Sequence, residues 1–115
     1  MFTVRKEQLE VFQKVSRQQF QKAMLKYLRE SFAEQTSQTS DADLDTLILT
    51  GIDRARRYKV ILEDDVQRYL DCMVVYGKDF DSDPKLKWAR SALRARNVTG
   101  TEKMDFIEKR RKEGA

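Results

Sequence analysis

The stretch Ser40–Tyr58, SDADLDTLILTGIDRARRY, decides the fold. Its apolar residues Leu44, Leu47, Ile48, Gly51, Ile52 and Ala55 recur three and four apart and form one stripe, the spacing of a helix buried along one face. Ser40 is placed to cap it, and Asp41 and Asp43 suit the positive end of the helix dipole. A glycine inside a helix costs about 1 kcal/mol against alanine. Gly51 lies on the buried stripe between Ile48 and Ile52, so the sequence predicts that a neighbouring helix approaches closely there. Arg54, Arg56 and Arg57 turn outward or sideways.

The same reading extends in both directions. Downstream, Leu62, Val66, Tyr69, Leu70, Met73 and Val74 make the core face of a helix that starts near Glu63 or Asp64 and stops at Gly77. Asp83-Pro84 is a fresh start, with Asp as cap and Pro at the first helical position, for a helix running to about Arg96. That helix carries two apolar strips, Leu86/Ala89/Leu93 and Trp88/Ala92/Ala95. Either it is sandwiched between elements, or one strip is buried in a partner. Thr99 or Thr101 caps a last helix over about Glu102 to Lys112; Thr99 and Glu102 fit a capping box, and the thin apolar edge is Met104 and Ile107. Upstream, a first helix is predicted over about Arg5 to Glu34, capped by Thr3. Leu9, Phe12, Phe20, Ala23, Met24, Tyr27 and Leu28 form its core face, with Ser16 in the middle. Thirty helical residues would span ~45 Å in a domain whose radius of gyration is about 13 Å, so that helix projects or is broken. Val4, Val11 and Val15 lie off its stripe, either covered by another segment or forming a second contact surface.

The whole is predicted to be all-α: one domain over residues 1–115, a compact bundle of about five helices with a long first helix. Residues 35–40 (QTSQTS) read as a polar surface loop, and residues 109–115 as a basic tail that frays at Gly114. Composition agrees, with four Gly and one Pro in 115 residues and 40% hydrophobic against 37% charged. No 18-residue apolar run is present to span a membrane. The N-terminal stretch lacks the apolar core of a leader. With a single Cys, a cytoplasmic setting is expected.

The chain contains no His, which removes Ser-His-Asp and Cys-His catalysis and every imidazole-dependent zinc site. Asp79, Asp81 and Asp83 have the spacing that opens a calcium loop, but Pro84 stands where that loop needs Gly and Arg90 where it needs Glu. Phe80 between them is expected to plug into the core. Cys72, at the outer edge of its core stripe, reads as passive and partly buried. No phosphate-binding loop or nucleophile elbow is present. The sequence therefore assigns no catalytic, metal-ligating or cofactor-binding residue, and predicts a protein that is not an enzyme.

Charge is uneven. Residues 63–83 hold seven carboxylates against two cations, for −5, whereas residues 84–115 hold ten cations against four carboxylates, for +6. The run Lys109-Arg110-Arg111-Lys112 can hold phosphates. It lacks the recognition-helix pattern and stacked aromatics that would favour nucleic acid. Acidic middle and basic end also suit self-association, or steering of a protein partner. The partner-binding candidates are thus Val4, Val11 and Val15; Trp88, Ala92 and Ala95; Asp64 and Asp65 in the acidic segment; and Arg110 and Arg111 in the basic one.

Leu47–Tyr58 (LILTGIDRARRY) and Asp65–Leu93 (DVQRYLDCMVVYGKDFDSDPKLKWARSAL), with the opening EQLEVFQ and the long first helix, resemble a group of small bacterial proteins. These are encoded beside VgrG-type spike proteins and effector adaptors in type VI secretion and related contractile-injection gene clusters. In that pattern a Gly often follows the tyrosine; here it is Lys59. The resemblance implies no enzyme activity. It implies an accessory adaptor or chaperone-like subunit with a spike, an effector or a toxin encoded nearby as its partner. The alternatives are an immunity protein that plugs a toxin's basic active site with residues 63–83, and a small basic nucleic-acid binder.

Overall fold

Ser40 accepts a hydrogen bond from the backbone N–H of Asp43 at 3.1 Å, and the helix it caps, α3 (Asp41–Arg57), packs against α1 (Lys14–Ser31) and α4 (Glu63–Tyr76). The computed structural model describes the backbone of residues 14–114 and the side chains of residues 17–114. The other helices are the single turn α2 (Ala33–Thr36), α5 (Lys87–Arg94) and α6 (Gly100–Lys112), with α4 touching α1, α2, α3 and α6 and α5 packing on α6. Two 3₁₀ turns, Phe80–Ser82 and Pro84–Leu86, lead into α5. The described residues contain six helices and no strand, an all-α bundle. None of the described helices is long and apolar enough to cross a membrane.

The predicted close approach falls at Gly51. A Cβ there would lie 2.4 Å from Leu70 Cδ2 and 2.8 Å from Met73 Sδ, so α4 packs directly onto the α3 backbone. Leu44, Ile48, Ile52 and Ala55 of α3 join Val66, Tyr69, Leu70 and Met73 of α4 in one buried cluster. Phe20, Met24 and Leu28 of α1 and Met104 and Ile107 of α6 close it. Phe80 is fully buried and stacks obliquely on Tyr69 with ring centroids 4.9 Å apart, as its place in the loop predicted. Cys72 is fully buried, not partly so.

Three boundaries differ from expectation. The described part of α1 begins at Lys14 and ends at Ser31, without reaching Glu34. Phe32 breaks the helix (φ −128°, ψ 52°) although no Gly or Pro is nearby. The cause is tertiary: the Arg29 guanidinium donates to the carbonyls of Thr36 and Thr39 and to Asp41, folding the chain back toward the start of α3. Phe32 meets Tyr27 edge-on. Part of the expected surface loop 35–40 is therefore built in, since Thr36 is buried and its hydroxyl donates to the Phe32 carbonyl at 2.8 Å. Asp83 caps as expected, accepting from the Lys85 N–H, but the turn it starts is 3₁₀, and α5 begins only at Lys87 and ends at Arg94. The last helix ends at Lys112, as expected, so the basic run 109–112 forms its last turn and only residues beyond it can fray.

Where the resemblance expects Gly after the tyrosine, Lys59 takes the left-handed conformation (φ 65°). Its N–H donates to Arg56 O, and that of Val60 to Ala55 O, both at 2.9 Å. This is the paired-carbonyl ending of a Schellman motif.

Burial of this core predicts alkaline unfolding. Burial pushes the Cys72 thiol up to about 12. Burial also raises Tyr69, Tyr58 and Tyr27; repulsion from Asp81 adds to it at Tyr69, and the hydrogen bonds that Tyr58 donates to Asp81 and Tyr27 to Asp71 add to it at the other two. Each folded pKa exceeds its unfolded value, so above about pH 9 the unfolded chain releases protons that the folded chain retains, and stability falls. Lys103, lowered by burial, acts in the opposite direction but is outnumbered. Urea midpoints are expected to decline steadily from pH 9 to 12; a flat profile would contradict the burial of these groups.

Candidate partner-binding groove between the last two helices

Helix α5 buries Ala89 and Leu93 and turns Trp88, Ser91 and Ala92 to its other side, with Ala95 just past its end. Helix α6 buries Met104 and Ile107 and turns Glu102 and Phe106 toward the same space. Between them lies an open groove of about 330 Å³ with an almost wholly apolar lining, closed at one end by Val98 and floored in part by Lys103. Leu49 and Val75 are exposed singly, which is ordinary. Phe106 (52% exposed) and Val98 (38%) instead border one continuous apolar surface, the kind that marks a contact site.

Each wall is fixed by local chemistry. Thr99 and Glu102 form the full capping box of α6: Thr99 Oγ1 accepts from the Glu102 N–H at 3.0 Å, and Glu102 accepts from the Thr99 N–H at 2.9 Å. Gly100 then sets α6 against the end of α3, because a Cβ there would stand 2.3 Å from Lys59 O and 2.9 Å from Val60 Cα. Lys103, only 6% exposed, donates from Nζ to Tyr58 O at 2.8 Å. A cation on the last carbonyls of α3 is also favoured by that helix's dipole. Trp88 is held between elements: Tyr76 meets it edge-on at 5.8 Å, and the Arg110 guanidinium stands 5.9 Å from its ring centroid, within cation–π range.

The structure brings together Trp88, Ala92, Ala95 and Arg110 from the residues the sequence singled out. Val4 and Val11 lie outside the described residues, and Val15 is described in backbone only. Asp64 is exposed at the start of α4, but Asp65 is not available to a partner. It is 3% exposed, pairs with Arg68 at 2.7 Å and accepts from the Thr101 hydroxyl. Arg68 also reaches Asp105 and Glu108. Burial opposes the charge of Arg68, but its hydrogen bonds to these carboxylates outweigh that and raise its pKa. Arg111 points away from the groove, beside Asp71, Tyr76 and Glu108.

Three more carboxylates of the acidic segment are similarly engaged. Asp79 pairs with Arg54, Asp81 accepts from the Tyr58 hydroxyl, both at 2.7 Å, and Asp71 accepts from Tyr27 at 2.9 Å. The basic run does not form one face, since Arg110, Arg111 and Lys112 go to Trp88, to the Asp71 side and toward Glu108 respectively. Sequence reasoning missed Phe106, Val98 and Lys103. The available signal was that Phe106 is a large apolar residue off the Met104/Ile107 edge, one helical turn from Glu102.

Comparison of the chain with protein-family models, with curated proteins and with solved structures gives no match.

Proposed function

We propose that this chain is a non-enzymatic protein-interaction module whose contact surface is the α5–α6 groove. In this reading it serves as an accessory adaptor or chaperone-like subunit for a type VI secretion spike or effector. The observation that carries the contact surface is the continuous apolar lining from Trp88 to Phe106, held open by a capped and anchored α6. Burying such a surface yields about 25 cal/mol per Å² before the costs of association. The secretion role rests on the resemblance of Leu47–Tyr58 and Asp65–Leu93. An immunity protein that plugs a basic active site with residues 63–83 is less well supported, because Asp65, Asp71, Asp79 and Asp81 already hold internal partners.

The test is co-expression of the tagged chain with the spike, effector and toxin encoded beside it. One of them is expected to co-purify with the wild-type chain. Phe106→Asp should weaken that complex at least tenfold, about 1.4 kcal/mol, while circular dichroism keeps its helical signal, since Phe106 is already half exposed. Equal retention by both forms would remove the groove, and retention of none of the three would remove the adaptor role.

A further inference from the structure

The groove's lining is apolar, but its rims are not. On the α5 flank, beyond Ser91, stand Lys87 and Arg94 by helical spacing. On the α6 flank stand Lys109 and Arg110, one turn on from Phe106, with Glu102 and Glu113 between them. All of these are exposed. Four cations thus border the groove against two carboxylates, and none of the four is in an ion pair among the described residues. The cations of the core side, Arg29, Arg54 and Arg68, all are. An unpaired basic rim around an apolar slot is complementary to a ligand with an apolar stripe and acidic flanks.

The backbone chemistry narrows the ligand further. Apart from the short non-helical end at Ala95 and Val98, both walls are helices whose own N–H and C=O groups are bonded internally, and no strand edge is present among the described residues. An extended peptide laid on this lining would leave its backbone polar groups without partners. A helix brings its backbone already satisfied and offers side chains at i, i+3/4 and i+7 to the slot.

From the groove and its rim together we infer that the occupant is an acidic amphipathic helix of a partner protein. Its apolar stripe would lie between Trp88 and Phe106, and its carboxylates against Lys87, Arg94, Lys109 and Arg110. This rests on the groove being the contact surface and adds the chemistry of what enters it.

Trp88 is the only tryptophan in the chain, so its emission reports the groove directly. The probes are two synthetic amphipathic peptides with the same leucine stripe, one flanked by glutamates and the other by lysines, each titrated into the full chain. The glutamate peptide is expected to shift Trp88 emission and bind at least tenfold tighter than the lysine peptide at low salt. That advantage should shrink as salt rises. Lys109→Glu/Arg110→Glu, or on the opposite rim Lys87→Glu/Arg94→Glu, should abolish the preference. These side chains are exposed and in no ion pair among the described residues, so either variant keeps the fold; because Arg110 also contacts Trp88, each variant's shift is read against its own unbound emission. Equal binding of both peptides would overturn the acidic ligand and leave the groove intact. Binding of neither would also overturn it, while co-purification with Phe106→Asp still judges the groove separately. A Trp88 shift that follows protein concentration, with a dimer by light scattering lost in Phe106→Asp, would give the groove to a second copy of the chain and overturn the proposal.

Discussion

Gly100→Ala is expected to destabilise the protein by about 3 kcal/mol, the upper part of the range for overpacking a filled site. The sign is the informative part. At an open position in a helix, replacing Gly with Ala gains roughly 0.5–1 kcal/mol. Gly100 begins α6 with an unexceptional φ, so conformation alone would favour alanine. The space is what forbids it: the added carbon would meet Lys59 O at 2.3 Å, Val60 Cα at 2.9 Å and Lys59 C at 3.0 Å. All of these are backbone atoms of the turn that ends α3. Backbone cannot rotate aside as the Leu70 and Met73 side chains facing Gly51 can, so α6 must lift as a body. Lifting it would stretch the Lys103 bond to Tyr58 O and draw the Phe106 wall away from Trp88. Urea unfolding should show a lower midpoint with an unchanged slope, and Trp88 emission should move in the folded state. A neutral or stabilising substitution would contradict the docking of α6 on this turn.

Neither Lys59 nor Gly100 announced this contact in the sequence, and the contrast with what was legible is physical. Features closed within a turn or two could be read from residue type. The Ser40 cap, the Gly77 stop, the Thr99–Glu102 box and the Gly51 approach are each set by chemistry that neighbours on the chain define. Features that depend on a distant partner could not. The break at Phe32 is made by Arg29 reaching Thr36, Thr39 and Asp41, and Thr36 is buried as a consequence of that fold-back. Lys59 was flagged only as a departure from glycine, yet it adopts the conformation glycine would have supplied.

The groove divides in the same way. Trp88, Ala92 and Ala95 share one face of α5 by helical spacing, so that wall was visible. Phe106 faces them only because Gly100 and Lys103 fix the rotation of α6 against α3. The alternative expected for the second strip of α5, enclosure between elements, holds in part: Trp88 and Ala92 are half-buried against the core, whereas Ala95 is exposed. Asp65 was misread for a related reason. Its place in a first helical turn accounts for a carboxylate completely from local chemistry, and nothing nearby in sequence shows that Thr101 lies above it.

Arg68→Met should therefore cost more than any exposed charge substitution, about 3–5 kcal/mol, the range for leaving one member of a buried ion pair unpaired. Asp65 has 4% of its side-chain surface exposed and Arg68 19%, so water cannot replace the lost guanidinium at Asp65 as it can at exposed Asp105. The methionine fills most of the vacated volume, which keeps the cavity contribution small and leaves the uncompensated carboxylate as the main effect. Removing that charge as well separates the two. Arg68→Met/Asp65→Asn should recover at least half of the loss, with a coupling of about 2 kcal/mol in the double-mutant cycle. Additive losses would mean that Arg68 acts through Asp105 and Glu108 across the α4–α6 contact, and not through Asp65. In either case α6 loosens from α4, so the groove wall should respond along with stability. If the peptide carrying glutamates binds Arg68→Met as tightly as the wild-type chain under conditions where both are fully folded, then Gly100 and Lys103 alone are enough to hold the wall in place.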